Sequence, residues 1–206
     1  MIYIMEDTDR LDENFLAKAE PLLSEQRIQK IREYAVPSDK INAAAVYLLL
    51  RYGLKTEYQM TEKPVFDFIS RGKPCLSPAE SGIYFNLSHC GNAAVCIISD
   101  ENTAIDVMEL RKVRSSVIRR TCSMEERQQL SMSNEPERDF IKLWTRKECF
   151  SKLDGRGLLM DFSKINEDLP EMKHIHSLDF GEYIISYYSQ KPMEISYVGI
   201  QNLLEI

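Results

Sequence analysis

Residues 24–55 are periodic enough to demand helices, and a proline sets how many there are. Ile28, Ile31 and Tyr34 recur at helical spacing, ahead of the apolar run Ala43-Ala44-Ala45-Val46-Tyr47-Leu48-Leu49-Leu50. Pro37-Ser38-Asp39 falls between them and predicts two helices, with Ser38 or Asp39 as N-cap of the second. The period then changes. Ile83-Tyr84-Phe85-Asn86-Leu87 and Ala93-Ala94-Val95-Cys96-Ile97-Ile98 read as strands flanking Ser88-His89-Cys90-Gly91-Asn92. A turn at Asp100-Glu101-Asn102 leads into a third strand, Thr103-Ala104-Ile105-Asp106-Val107. Ser123-Met124-Glu125-Glu126 has the form of a capping box and opens a helix that Asn134-Glu135-Pro136 ends. A longer helix is predicted from Glu137 to about Leu153, with Asp154-Gly155-Arg156-Gly157 as a flexible exit. Tyr183-Ile184-Ile185-Ser186-Tyr187-Tyr188 and Ile195-Ser196-Tyr197-Val198-Gly199-Ile200 are expected to be antiparallel strands joined across Lys191-Pro192. Each half thus combines helices with a small sheet, and no low-complexity linker or clean repeat separates them. The expectation is an α+β chain of two tightly joined subdomains, residues 1–102 and 103–206.

Composition removes several classes of function. No apolar run approaches the roughly 20 residues that span a bilayer. Met1-Ile2-Tyr3-Ile4-Met5-Glu6-Asp7 lacks a basic stretch, so no secretory signal is expected and the segment reads as a first strand. Five cysteines, an odd number without C-x-x-C spacing, point to free thiols in a reducing cytoplasm rather than to zinc. A net charge of −6 argues against a broad nucleic-acid surface but leaves room for a local basic patch.

Chemistry concentrates at Asp106 and in Trp144-Thr145-Arg146-Lys147-Glu148-Cys149-Phe150-Ser151-Lys152. Glu148 and Lys152 stand at i and i+4 on one helix face, and Asp106 lies in a buried strand. Two carboxylates and a lysine meeting at a strand end could hold a divalent cation against phosphate oxygens and protonate a leaving group. That is the outline of a phosphoryl-transfer site. The plainer reading of Glu148 and Lys152 is a surface ion pair worth about 0.2–0.5 kcal/mol. Residue types alone leave both open.

The order of these pieces resembles the 4′-phosphopantetheinyl transferases of the surfactin-synthetase-activating type. Gly72-Lys73-Pro74, Phe85-Asn86-Leu87-Ser88-His89, Ile105-Asp106-Val107 and Trp144-x-x-Lys147-Glu148-x-x-x-Lys152 run in that family's order at family-like spacings. The resemblance implies two similar α+β halves about a pseudo-twofold axis, with coenzyme A in the cleft between them. It implies transfer of the phosphopantetheine arm of coenzyme A to a serine of an acyl or peptidyl carrier protein, with release of adenosine 3′,5′-bisphosphate. The metal would be Mg²⁺, with Mn²⁺ as the other candidate. Carried over residue by residue, Asp106 and Glu148 would be metal ligands, and Glu148 also the base for the incoming serine. Lys152 would neutralise the pyrophosphate and could protonate the departing bisphosphate. Lys73 and Pro74 would lie beside the adenine, while Arg27, Lys30, Ser88 and His89 would contact the 3′-phosphate. Trp144 would be a packing anchor, and Lys147 either a phosphate contact or a solvated charge. Residues 1–102 would carry the coenzyme contacts, and residues 103–206 the metal site, catalytic helix and carrier-protein dock. A cytoplasmic monomer is expected.

Two positions depart from the family pattern. Met108 stands where a second acidic residue is usual, and Glu109 would point to the other strand face unless a bulge intervenes. A water in place of one carboxylate is compatible with Mg²⁺. Asn42 stands where an arginine is common, with Lys40 and Arg51 as candidate substitutes. These departures motivate an alternative, a catalytically silent coenzyme A-binding homologue. A metal-dependent nuclease built on Asp106, Glu109 and Arg111 is disfavoured by the acidic chain. His174 and His176 alternate as in a strand but lack a third ligand, and read as surface residues. Residues 111–120 hold five positive charges and no negative one. The plain reading is a solvated helix face. The resemblance makes it the dock for an acidic carrier protein, with Val113, Val117 and Ile118 as its apolar centre.

Overall fold

The computed structural model describes residues 1–68, 72–77, 81–155 and 160–206. The first half of the chain forms β1 (Ile2–Glu6), α1 (Glu13–Ala19), α2 (Glu25–Arg32), α3 (Pro37–Tyr58), β2 (Phe66–Phe68), β3 (Pro74–Leu76), β4 (Tyr84–His89) and β5 (Ala93–Ser99). The second forms β6 (Ala104–Glu109), α4 (Ser115–Thr121), α5 (Met124–Met132), α6 (Pro136–Asp154), β7 (Ile175–Asp179), β8 (Tyr183–Tyr188), β9 (Ile195–Tyr197) and α7 (Ile200–Leu204). The expected α+β class is what the chain adopts. One sheet runs β4-β5-β1-β9, a second β6-β8-β7, and β2 pairs with β3.

Strand alternation explains how the layers stack. Tyr3, Met5, Ala94, Cys96 and Ile98 face α3, whereas Ile2, Ile4, Ala93, Val95 and Ile97 face the second sheet. There they meet Ile105, Val107, Tyr183, Ile185 and Tyr187. The far face of the second sheet carries Ala104 and Ile184 against α6. The order is therefore helix, sheet, sheet, helix. The inner strands β5 and β8 are buried on both faces, which is why both read as largely apolar runs. α3 is buried from Ile41 to Leu50 because α1, α2 and α7 cover the side that the sheet leaves open.

Three local expectations need correction or limits. α3 starts two or three residues earlier than Ser38 or Asp39 as N-cap would place it: Val36 is the N-cap, without a side-chain hydrogen bond, and Pro37 takes the first turn. Its fixed φ and missing N–H suit that position better than a polar cap further in. Ile195–Tyr197 does not pair with β8. Both edges of β8 are occupied, by β6 and β7, so β9 crosses to the first sheet and lies parallel to β1. Residues 195–206 thus pack on the first half, across the 102/103 division. Of the exit after α6, Gly155 caps the helix in the left-handed region at φ 83°. Arg156 and Gly157 lie outside the described residues. The capping box at Ser123 is present with both of its hydrogen bonds.

Gly53 is where α3 comes closest to the sheet. An added Cβ would sit 2.5 Å from both Ile98 Cδ1 and Tyr3 Cε2. In an open helix interior Gly→Ala stabilises by up to about 1 kcal/mol. Here overpacking is expected to reverse the sign, so that Gly53→Ala costs about 1–3 kcal/mol and about 2–4 °C of Tm per kcal/mol. Thermal denaturation of the variant checks this, and a raised Tm would mean that the contact yields. No helix of the described residues is long and apolar enough to cross a membrane.

Candidate active site

β6 is the edge strand of its sheet, and its outward edge meets β4. Asp106 projects from it toward α6 and is only 7% exposed. Lys152 Nζ donates to Asp106 Oδ1 at 2.7 Å and to the Ile105 carbonyl at 3.0 Å. The Ser88 hydroxyl donates to the same Asp106 oxygen at 2.9 Å. Glu148 stands one turn before Lys152. Burial first, and the charge of Asp106 second, push its carboxyl up to about 7, with Lys152 offsetting part of the rise. Asp106, Glu148 and Lys152, far apart in sequence except for the last two, therefore meet at one point.

The helix is held in register by buried hydroxyls. Ser186 lies opposite Asp106 across β6 and β8, and its Oγ is 2.8 Å from Thr145 Oγ1 and 2.9 Å from Ser177 Oγ. Thr145 precedes Glu148 by three positions, so this contact fixes the face that carries Glu148 and Lys152. Sequence reading missed it, because serines at alternate strand positions carry no signal until the facing helix is known.

The remaining candidates spread outward. His89, half-buried at the end of β4, has its pKa lowered by burial and then by Lys152, while Asp39 and Asp106 pull it up. It shares the neighbourhood of Asp106 and Lys152. Arg27 donates through Nε at 3.1 Å and Nη2 at 2.5 Å to the Ala43 carbonyl, and lies 5.9 Å over the Tyr47 ring. It joins α2 to α3 as well as reaching the field of His89. Lys30 is exposed and paired with Glu33 at 2.7 Å. Lys73 Nζ donates to Asn102 Oδ1 at 2.7 Å and to the Thr103 carbonyl at 3.2 Å, and Pro74 opens β3. Asn42 is buried and directs its amide toward the Cys90 carbonyl, 3.5 Å away. Arg51 does not approach this point; it donates to the Leu22 and Thr61 carbonyls. A cleft of about 330 Å³ opens beside His89, lined among others by Asp39, Asn42, Met108, Glu109 and Arg111.

Lys147 is neither a phosphate contact nor a solvated charge. It is 1% exposed and satisfied by Glu126 Oε2 at 2.6 Å and by the Thr121 and Phe162 carbonyls at 3.0 and 2.9 Å. It ties α4 and α5 to α6. Trp144 is the packing anchor expected, stacked against Phe140 and Phe162 with centroids 6.1 and 5.3 Å away. Met108 shares the α6 side of β6 with Asp106, and Glu109 faces the other way, where a Cβ on Gly91 would lie 2.4 Å from its Oε2. Glu109 therefore does not replace the acid absent at Met108. Among the described residues no group of three or more His, Cys, Asp and Glu side chains could hold a metal. His174 and His176 are exposed. The five cationic residues of 111–120 are exposed, while Val113, Val117 and Ile118 are half-buried against Phe140 and Leu130.

Comparison with known proteins gives this arrangement a context. The model of the 4′-phosphopantetheinyl transferase superfamily matches residues 103–193. The chain is 32% identical to the 4′-phosphopantetheinyl transferase psf-1 of Bacillus pumilus, over 60% of this chain and 54% of that protein. It is 27% identical to the 4′-phosphopantetheinyl transferase Sfp of Bacillus subtilis (strain 168), over 66% of this chain and 62% of that protein. It is 31% identical to the 4′-phosphopantetheinyl transferase AcpT of Salmonella typhi, over 65% of this chain and 71% of that protein. The chain thus spans a little over half of the first of these relatives and somewhat more of the others.

Proposed function

The chain belongs to the 4′-phosphopantetheinyl transferase superfamily, and from that premise we propose that it moves the 4′-phosphopantetheine arm of coenzyme A onto a serine of an apo acyl or peptidyl carrier protein. One observation carries the reading: Lys152 grips Asp106 while Glu148, one helical turn away, lies within the field of both, so two carboxylates and a lysine converge at one point. Glu148 would take the serine proton, directly or through water. The serine oxygen forms a bond to the β-phosphorus of coenzyme A while the bond from that phosphorus to the bridging oxygen breaks. Adenosine 3′,5′-bisphosphate leaves with the electron pair. Lys152 supplies positive charge to the pyrophosphate and can return a proton to the leaving oxygen.

Two neighbouring carboxylates, one of them raised by the other's charge, are a donor set that a divalent cation would relieve. Asp106 and Glu148 would hold Mg²⁺, whose remaining positions water and phosphate oxygens can fill, so Met108 need not be replaced. When bound, the ion supplies neutralisation of the phosphate charge. His89 and Arg27 are the residues nearest in character to a 3′-phosphate site, with Lys30 beside them and Lys73 and Pro74 toward the adenine, whereas the Ser88 hydroxyl is already engaged by Asp106 and the Val107 N–H. In this reading the halves 1–102 and 103–206 are related by a pseudo-twofold axis, and the protein is a monomer. Cysteines that form no disulfide among the described residues are in keeping with a cytoplasmic setting.

Incubating apo carrier protein with the chain, coenzyme A and Mg²⁺ tests the proposal by intact mass. One phosphopantetheine per carrier serine is expected, and Asp106→Ala with Glu148→Ala should stop it. Coenzyme binding without modification would select a silent homologue instead. The exposed strip at 111–120 is the proposed carrier dock, beside a groove of about 380 Å³ floored by Val113, Val117 and Phe140. Charge reversal at Arg114 and Arg119 is expected to raise KM for the carrier by about 10-fold and leave KM for coenzyme A unchanged. Steady-state kinetics against each substrate check this, and equal effects on both would remove the dock from this surface.

A further inference from the structure

β4 and β6 are the facing edges of two different sheets, and no backbone ladder joins them. The outward edge of β6 is nonetheless buried: Ile105 is fully enclosed and Val107 nearly so. Side chains satisfy its polar groups. Asn86 Oδ1 accepts the Ile105 N–H at 3.1 Å, and Ser88 Oγ accepts the Val107 N–H at 3.3 Å. The acceptors stand two residues apart on one strand and the donors two apart on the other, in the same chain direction. Two side chains thus imitate a parallel strand. Ser88 closes the arrangement by donating to Asp106 Oδ1, the residue between the two bonded N–H groups.

From this geometry we infer that Asn86 and Ser88 are positioning residues for the proposed reaction. They weld the first sheet to the open edge of the second and so fix where Asp106 presents its carboxylate. Asn86 is 7% exposed and Ser88 8%, so neither is free to travel to a ligand without opening the seam. With its lone pair on Val107 and its proton on Asp106, the Ser88 hydroxyl is engaged on both sides. The Lys73 ammonium on the Thr103 carbonyl and the Lys152 ammonium on the Ile105 carbonyl complete the same edge.

The inference rests on the transferase reading for its chemistry, but its test does not need a carrier protein. Thermal unfolding is followed in EDTA plus coenzyme A and then across a Mg²⁺ titration, for wild type, Asn86→Ala, Ser88→Ala and Ser88→Thr. Loss of a group that orients a ligating carboxylate is expected to raise the Mg²⁺ concentration at half-shift by about 10-fold or more. Ser88→Thr keeps the hydroxyl and should return it to within about twofold of wild type. Coenzyme A affinity in EDTA should stay within about twofold for both alanine variants. If Asn86→Ala does not fold, Ser88→Cys, which retains the volume but bonds weakly, is expected to show a reduced form of the same shift. Variants that lose Tm in EDTA yet titrate Mg²⁺ as wild type does would reduce the pair to a structural seam. A Ser88→Ala variant that mainly loses coenzyme A would make the serine a direct ligand contact. A wild type that shows no Mg²⁺ shift overturns the inference outright, whereas failure to modify carrier protein touches only the transferase reading.

Discussion

In the metal-free protein at about pH 8, Glu148→Gln is expected to raise stability even as it removes about 10²–10⁴-fold of the transfer rate. Burial and Asp106 lift this carboxyl from its ordinary 4.5 to about 7, so the folded chain keeps a proton that the unfolded chain has released. Its effect on stability is therefore nil below about pH 4.5, grows more unfavourable as pH climbs to about 7, and is level beyond. A rise of that size corresponds to about 3 kcal/mol in a dry site. Water reaching a half-buried side chain cuts it to about 1–2 kcal/mol. The glutamine variant, which has no charge to bury, should match wild type near pH 4 in EDTA and exceed it above pH 7. Magnesium should invert the ranking by stabilising the wild type, with its two carboxylates, more than the variant. Urea unfolding at both pH values with and without Mg²⁺ reads all four cases. Equal stability at pH 8 in EDTA would mean that the carboxylate sits there without strain, and Glu148 would lose its standing as the base.

The same carboxylate shows what the sequence could and could not disclose. Glu148 and Lys152 were legible because helical spacing is local, and Asp106 because a charge in an apolar strand stands out. Their meeting is a tertiary fact, reached through family resemblance rather than through spacing. Strand existence was readable from β-branched and aromatic runs, but partner choice was not. β9 looks like a neighbour of β8 until it is known that β6 and β7 already occupy both edges of β8. The alternation rule did settle Glu109, which faces Gly91 and not α6. Lys147 was misread because a lysine between helix residues is usually solvated. Its burial depends on Glu126 and two carbonyls from separate segments, none of them near in sequence.

Lys147 consequently carries the largest expected effect on folding. Its three ammonium protons meet three acceptors, and Glu126 Oε2 also accepts the Ser123 N–H at 2.7 Å as half of the capping box. Lys147→Ala leaves that carboxylate, 13% exposed, without its cation and strands two carbonyls. Removing one partner of a buried pair typically costs about 3–5 kcal/mol, and we expect the lower part of that range because Glu126 retains some water. Lys147→Met with Glu126→Gln removes both charges, keeps the volume and leaves an acceptor for the cap, so it should recover most of the loss. A double-mutant cycle in urea measures the coupling. The kinetic consequence separates the roles. A lysine on phosphate would raise KM for coenzyme A, and its replacement by methionine would not be rescued by a change at Glu126. A lysine that pins α4 and α5 to α6 instead loosens the elements bearing Arg119 and Arg120, so KM for the carrier protein should rise first. If Lys147→Ala proves as stable as wild type while coenzyme A binding weakens, the buried pair is not what holds these helices together.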